Sequence, residues 1–266
     1  MENYTVRQLG RLFAEKKISP KEHAEETFRK IRKENERLHA FVYLMEEEAM
    51  KAAARAEQDF MDGIIRGPFQ GITMGFKDLI WTKDAPVTME CPYYYEHPLR
   101  PDTDAEIVRI LREQGAVIVG KTNTHALGMG STGDVGVAPC ARNPYNTEKI
   151  TGGSSSGSGA AMSAGLCDIT FGHDTGGSLR IPAALCGVTG IKPTFGRVSK
   201  YGPSGMALSG DVVGPIAACV EDSALALGEI NGYDRKDVYS LKAPQENYLE
   251  SLDKDGKDMR IAVPMA

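Results

Sequence analysis

The sequence predicts an α/β fold, a sheet covered by helices, on three observations. Apolar residues recur at helical spacing from Thr5 to about Asp62, helix and strand signals alternate from about residue 70, and β-branched runs such as Val117-Ile118-Val119 sit between glycines. The 266 residues, 41% hydrophobic and 25% charged, are enough for one substantial core. A single domain over 1–266 is therefore expected, with a helical N-terminal layer over 1–66 and an α/β core over 67–266.

In the N-terminal layer Val6, Leu9, Leu12 and Phe13 fall on one helical face. Ser19-Pro20-Lys21-Glu22 reads as a capping box with proline at the first helical position. Gly67-Pro68 then breaks the pattern, and from Gly71 to Ile80 short apolar runs between glycines predict a buried strand near Lys77. A helix opening near Asp104 and carrying Ile107, Ile110 and Leu111 is stopped by Gly115 before the strand Val117-Ile118-Val119. Between Thr151 and Gly177 the chain is dense in Gly, Ser and Ala. A flexible linker would not carry Ala160-Ala161-Met162 or Leu166-Cys167-Asp168-Ile169-Thr170-Phe171, so this stretch reads as packed structure around a site. Asp258 to Pro264 reads as the opening of a further strand, which implies a fold cut in mid-unit or completed by a second polypeptide.

A net charge of -5 with no block of like charges provides no footprint for nucleic acid or an anionic membrane, and points to a small-molecule partner. The five cysteines are widely spaced and form no Cys-x-x-Cys pair, so a disulfide framework is not expected. Met1 to Thr5 lacks the order of a signal peptide, and no apolar run is long enough to span a bilayer. A cytoplasmic, thiol-reducing setting is the expectation. No His-x-x-x-His or clustered Cys/His spacing supports a metal, and no cofactor is expected.

Three short patterns invite chemical readings. Gly115 to Thr122 matches the P-loop spacing, but its interior Ala-Val-Ile-Val is itself a strand, so Lys121 reads as structural. Gly153-Ser154-Ser155-Ser156-Gly157 matches a nucleophile elbow centred on Ser155, which requires an acid and a histidine later in the chain. The only later histidine, His173, is too near, and the elbow stays open only if a further C-terminal part supplies one. His173-Asp174 beside Ser178 suggests a Ser-His-Asp relay, but neighbours on an extended segment face opposite ways, so His173 reads as a wall or core residue.

What remains is Gly152 to Gly157 and, after a small-residue spacer, Asp174 to Ala183: exposed serines in glycine-rich backbone able to turn several N–H groups toward one point. A serine nucleophile needs a base, and a desolvated lysine can serve. Lys77, between Phe76 and Asp78-Leu79 in an apolar strand, is the candidate; the alternative is that the serines only form turns and Lys77 pairs with Asp78.

The segment from Gly152 to Ala183 resembles, position by position, the signature of the amidase signature family. That family of serine amidases includes fatty acid amide hydrolase, malonamidase and the glutamine-hydrolysing subunit of the tRNA-dependent amidotransferase. Gly75 to Asp78, Gly115 to Asn123, Met129 to Ser131 and Ser209 to Pro215 extend the resemblance. It implies a mixed sheet with helices on both faces, lacking the C-terminal part of the family's fold. It also implies a catalytic set of Lys77, Ser154 and Ser178, with a cis peptide bond between Gly153 and Ser154. Neutral Lys77 would draw a proton through Ser154 from Ser178, which attacks an amide carbonyl to form an acyl-enzyme and release ammonia or an amine. The backbone amides of Thr175, Gly176, Gly177 and Ser178 would form the oxyanion hole, Met129 and Ser131 would line the substrate pocket, and Asp174 would pair with Arg180 across the turn. The chain departs from the family at His173, where a small hydroxyl residue is usual, at Ala126, where glutamate is common, and at Ile181, where the amidotransferase subunit has glutamine. The expected function is thus hydrolysis of a carboxamide. The alternatives are the glutaminase subunit of a tRNA-dependent amidotransferase, and a catalytically silent binding or scaffold fragment. A homodimer or a second chain is expected to cover the face that the missing part would occupy, with little turnover by the chain alone.

Overall fold

In the first helix, α1 (Val6–Ala14), Val6, Leu9 and Phe13 are buried along one stripe. The computed structural model describes all residues except 1–3, 203, 204, 206, 253–256, 258, 261 and 263–266, so the strand expected over 258–264 falls largely outside the described residues. A capping box occurs at α1, where the Gln8 N–H donates to Thr5 Oγ1 at 3.3 Å and the Thr5 N–H to Gln8 Oε1 at 2.9 Å. At Ser19 the expectation is met only in part. Its hydroxyl accepts from the Lys21 and Glu22 N–H groups, capping α2 (Pro20–Leu38), but donates its own proton to Glu57, and no return bond from Glu22 is found among the described residues.

The layer expected to be helical contains a strand, β1 (Phe41–Leu44). His39 ends α2 at φ 49°, and the Asn35 side chain holds both the N–H and the carbonyl of Phe41, at 2.8 and 3.0 Å, turning the chain back before α3 (Glu46–Met61). There follow β2 (Thr73–Lys77), the short α4 (Pro92–Glu96), α5 (Glu106–Glu113) and β3 (Val117–Thr122). A small hairpin of β4 (Arg142–Asn143) and β5 (Asn146–Ile150) precedes α6 (Ser156–Ser163) and β6 (Ile169–Asp174). The last elements of the sheet region are α7 (Arg180–Cys186), β7 (Thr189–Gly190), β8 (Val212–Ala217) and α8 (Val220–Ile230).

The main sheet has the order β1-β3-β2-β6-β8-β7. It is mixed: β3, β2 and β6 run parallel, while β1, β8 and β7 pair antiparallel to their neighbours. Side-chain alternation builds a core on each face. Met74, Phe76, Ile118, Phe171 and Val213 pack with residues of α1, α5 and α8, whereas Val117 and Val119 pack with α2, α3 and α6. Phe76 and Phe171 stack at 5.1 Å between ring centroids, and truncating either would cost about 3–5 kcal/mol. The expected α/β fold, a mixed sheet with helices on both faces, is what the chain adopts. Lys77, Thr122 and Asp174 are the last residues of the three parallel strands, the edge where ligand sites form in open α/β sheets.

Candidate active site

Lys77 ends a strand whose five residues are all buried, so its amine emerges within protein rather than in water. It donates to Ser154 Oγ at 2.6 Å. Burial brings the amine down to about 7, although Asp174 and Asp211 pull it the other way. No bond from it to Asp78 is found among the described residues; Asp78 Oδ2 instead accepts from the Thr88 N–H and hydroxyl and from the Met89 N–H.

The Gly153–Ser154 peptide bond is cis. Its two sides are held by hydrogen bonds. The Gly153 N–H donates to the Ser131 carbonyl at 2.7 Å, and the Ser154 carbonyl accepts from the His125 N–H and the Thr124 hydroxyl, both at 3.0 Å. These bonds set Ser131 beside the buried Ser154; Met129 and Ser131 are themselves exposed.

Ser178 lies in the turn between β6 and α7, partly exposed. The Ser155 N–H donates to its carbonyl at 3.3 Å, which draws the two serine segments together. No hydrogen bond to the Ser178 hydroxyl is found among the described residues. Asp174 organises the turn: its carboxylate accepts from the Gly177 N–H at 2.8 Å, the Leu179 N–H at 3.1 Å and Arg180 at 3.0 and 3.1 Å. Burial opposes its ionisation, but Arg180, these amides and Lys192 outweigh that and hold the carboxyl at about 2. The Asp174–Arg180 pair across the turn is therefore present. The Gly177 amide is engaged by Asp174, while no acceptor for the Gly176 and Ser178 amides is found among the described residues. Gly177 has φ 133°, a backbone conformation that favours glycine, and a Cβ there would stand 2.7 Å from Ile181 Cδ1 and push that side chain aside.

The competing motifs resolve structurally. Residues 117–122 form β3, and the buried Lys121 amine donates to the Ile80 carbonyl, so this segment is no phosphate loop. Ser155 is fully buried, and its hydroxyl donates to the His173 carbonyl at 3.3 Å. An elbow serine should instead be exposed at the top of the sheet. His173 is buried in β6, with Nε2 3.3 Å from Asp211 Oδ2. The Thr124–His125 clamp was not foreseen; those residues directly follow the Gly115 to Asn123 stretch that carried the resemblance. A cavity of about 640 Å³ lined by His23, Tyr145, Cys167, Asp168 and Asp222 holds none of these site residues. Among the described residues, no helix is long and apolar enough to cross a membrane.

A family model described as Amidase matches residues 22–266. The chain is 38% identical over 262 residues to a glutamyl-tRNA(Gln) amidotransferase subunit from Geobacillus kaustophilus (strain HTA426), covering 98% of this chain and 54% of that protein. Among solved structures it resembles the vestigial protein complex that reveals the evolutionary origins of an s-triazine catabolic enzyme (TM-score 0.93, 31% identity, 97% of this chain and 56% of that one). It also resembles the native peptide amidase of Stenotrophomonas maltophilia (TM-score 0.88, 33% identity, 94% and 53%). The chain thus spans about half the length of the curated relatives it matches. With matching sequence over nearly its whole length and the same fold around a buried lysine bonded to a cis-linked serine, the chain belongs to the amidase family.

Proposed function

We propose that this chain carries the serine–lysine machinery of an enzyme that hydrolyses a carboxamide through an acyl-enzyme. The observation that carries the reading is the 2.6 Å contact between Ser154 Oγ and an amine that burial keeps half neutral near pH 7. In its neutral form Lys77 accepts the Ser154 proton, and Ser154 Oγ takes the proton of Ser178 Oγ as that oxygen attacks the amide carbon. The contact between the two serines closes with substrate in place, as catalytic hydrogen bonds often do. The amides of Gly176 and Ser178, with Thr175 beside them, face the developing oxyanion, while Gly177 contributes conformation and its bond to Asp174. The C–N bond then breaks as the proton on Lys77 returns through Ser154 to the leaving nitrogen, and water releases the acyl group from Ser178. Met129 and Ser131 form one wall of the substrate site.

A second reading, the glutaminase subunit of a tRNA-dependent amidotransferase, is favoured by the 38% identity to a protein of that kind over 98% of the chain. Under either reading we propose that further polypeptide covers the site. Leu127, Met129, Val135 and Val137 are exposed beside it, and the two-residue β7 leaves a sheet edge unpaired among the described residues. The test is ammonia release from simple carboxamides and from glutamine by the assembled enzyme, with Ser178→Ala, Ser154→Ala and Lys77→Ala alongside. Full turnover in Ser178→Ala would sink the proposal, and glutamine as the sole substrate would select the second reading.

A further inference from the structure

The proton relay gives no part to His173. Its ring is only 1% exposed, and neither nitrogen has a well-aligned hydrogen bond among the described residues. Nε2 nevertheless stands 3.3 Å from Asp211 Oδ2. The antiparallel register of β6 and β8, which sets His173 opposite Val213 and Asp174 opposite Val212, brings Asp211 alongside Thr175. Asp211 is 2% exposed; its Oδ1 accepts from the Thr175 hydroxyl at 2.5 Å and its Oδ2 from the Ala207 N–H at 2.9 Å. The Lys192 amine ties the same place together, donating to the carbonyls of Asp174, Thr175 and Gly210 at 2.8, 3.2 and 3.2 Å.

We infer that His173 is a positioning residue: through Asp211 it fixes the Thr175 hydroxyl, and with it the Thr175–Ser178 turn that carries the nucleophile. The inference rests on the reading of Ser178 as nucleophile. A buried carboxylate deprived of a neighbouring donor must find another or change its ionisation, and either response loosens its hold on Thr175. The amides after Thr175 would then drift from the oxyanion's place. Such displacements slow the chemical step more than they weaken binding of the ground state.

The test measures kcat and KM for amide hydrolysis in the assembled enzyme carrying H173M, H173Q, T175V or H173M/T175V. H173M removes the donor at similar volume, H173Q returns an N–H near the place of Nε2, and T175V removes the hydroxyl while keeping the backbone. H173M and T175V should each lower kcat about tenfold with KM within about twofold, and H173Q should recover most of the loss. The double variant should be little worse than either single one, since both act through Asp211. An unchanged kcat in H173M, an equal loss in H173Q and H173M, or multiplying losses in the double variant overturns the inference. Should H173M not fold, T175V decides, an unchanged kcat overturning the inference. S178A separates the two levels: turnover in S178A removes the underlying reading, whereas a dead S178A beside an intact H173M removes only this inference.

Discussion

Replacing Lys77 by methionine should destroy activity and stabilise the protein, because a buried amine suited to accept a proton is costly to bury charged. The amine falls from 10.5 to about 7 on folding, which corresponds to roughly 5 kcal/mol of destabilisation where both states are protonated. The sign follows from proton counts. Below pH 7 folded and unfolded chains both carry the proton, so the cost of burying the charge is complete; between about 7 and 10.5 the folded chain binds fewer protons, so stability rises with pH. By pH 9.5 the remaining cost is roughly 1.4 kcal/mol. Lys77→Met removes that cost but leaves the Ser154 hydroxyl without its partner, a loss of about 1 kcal/mol. Urea unfolding should therefore show Lys77→Met several kcal/mol more stable than wild type at about pH 6, with the gain nearly gone at about pH 9.5. Lower stability of the variant at pH 6, or a gain that does not shrink with pH, would refute the reasoning.

Two further outcomes follow from contacts elsewhere in the fold. His23 bonds Asp168 at 2.8 Å and Asp168 holds Thr73, pinning α2 to the start of β2; burial lowers the imidazole, but Asp168 wins and raises it. That contribution is complete below pH 6.5 and is lost as pH rises through the raised value, so His23→Ala should cost about 1–3 kcal/mol by urea unfolding at pH 6 and visibly less at pH 9. Ser155→Ala, which removes the hydroxyl that donates to the His173 carbonyl and accepts from the His173 N–H, should cost about 1–2 kcal/mol of stability and leave acylation of Ser178 within a few-fold, read by active-site labelling.

The strands β2 and β3 were legible because their apolar runs follow glycines, whereas β6 was read only as packed structure around a site. β1 was not legible, since Phe41-Val42-Tyr43-Leu44 becomes a strand only by pairing with β3, far away in sequence. The two-residue β7 has too few residues to show any period. At the site, Lys77 could be singled out by its apolar setting and the serines by their glycine-rich backbone, with the resemblance completing the set. What could not be read was direction. That the Gly177 amide turns to the Asp174 side chain, that Ser155 faces inward while Ser154 meets Lys77, and that His125 reaches Ser154 by its backbone all depend on the path of single peptide units. The pairing of His173 with Asp211 depends on the register of β8 against β6, which neither segment declares alone.

The most direct measurement is fluorophosphonate labelling of the assembled enzyme from about pH 5.5 to about 9.5, with the adduct mapped by mass spectrometry. The adduct is expected on Ser178, forming at a rate that climbs through about pH 7 as Lys77 loses its proton, levels above it, and vanishes in Lys77→Met. An adduct on Ser155, or a Ser178 adduct whose rate persists in Lys77→Met, would contradict the account.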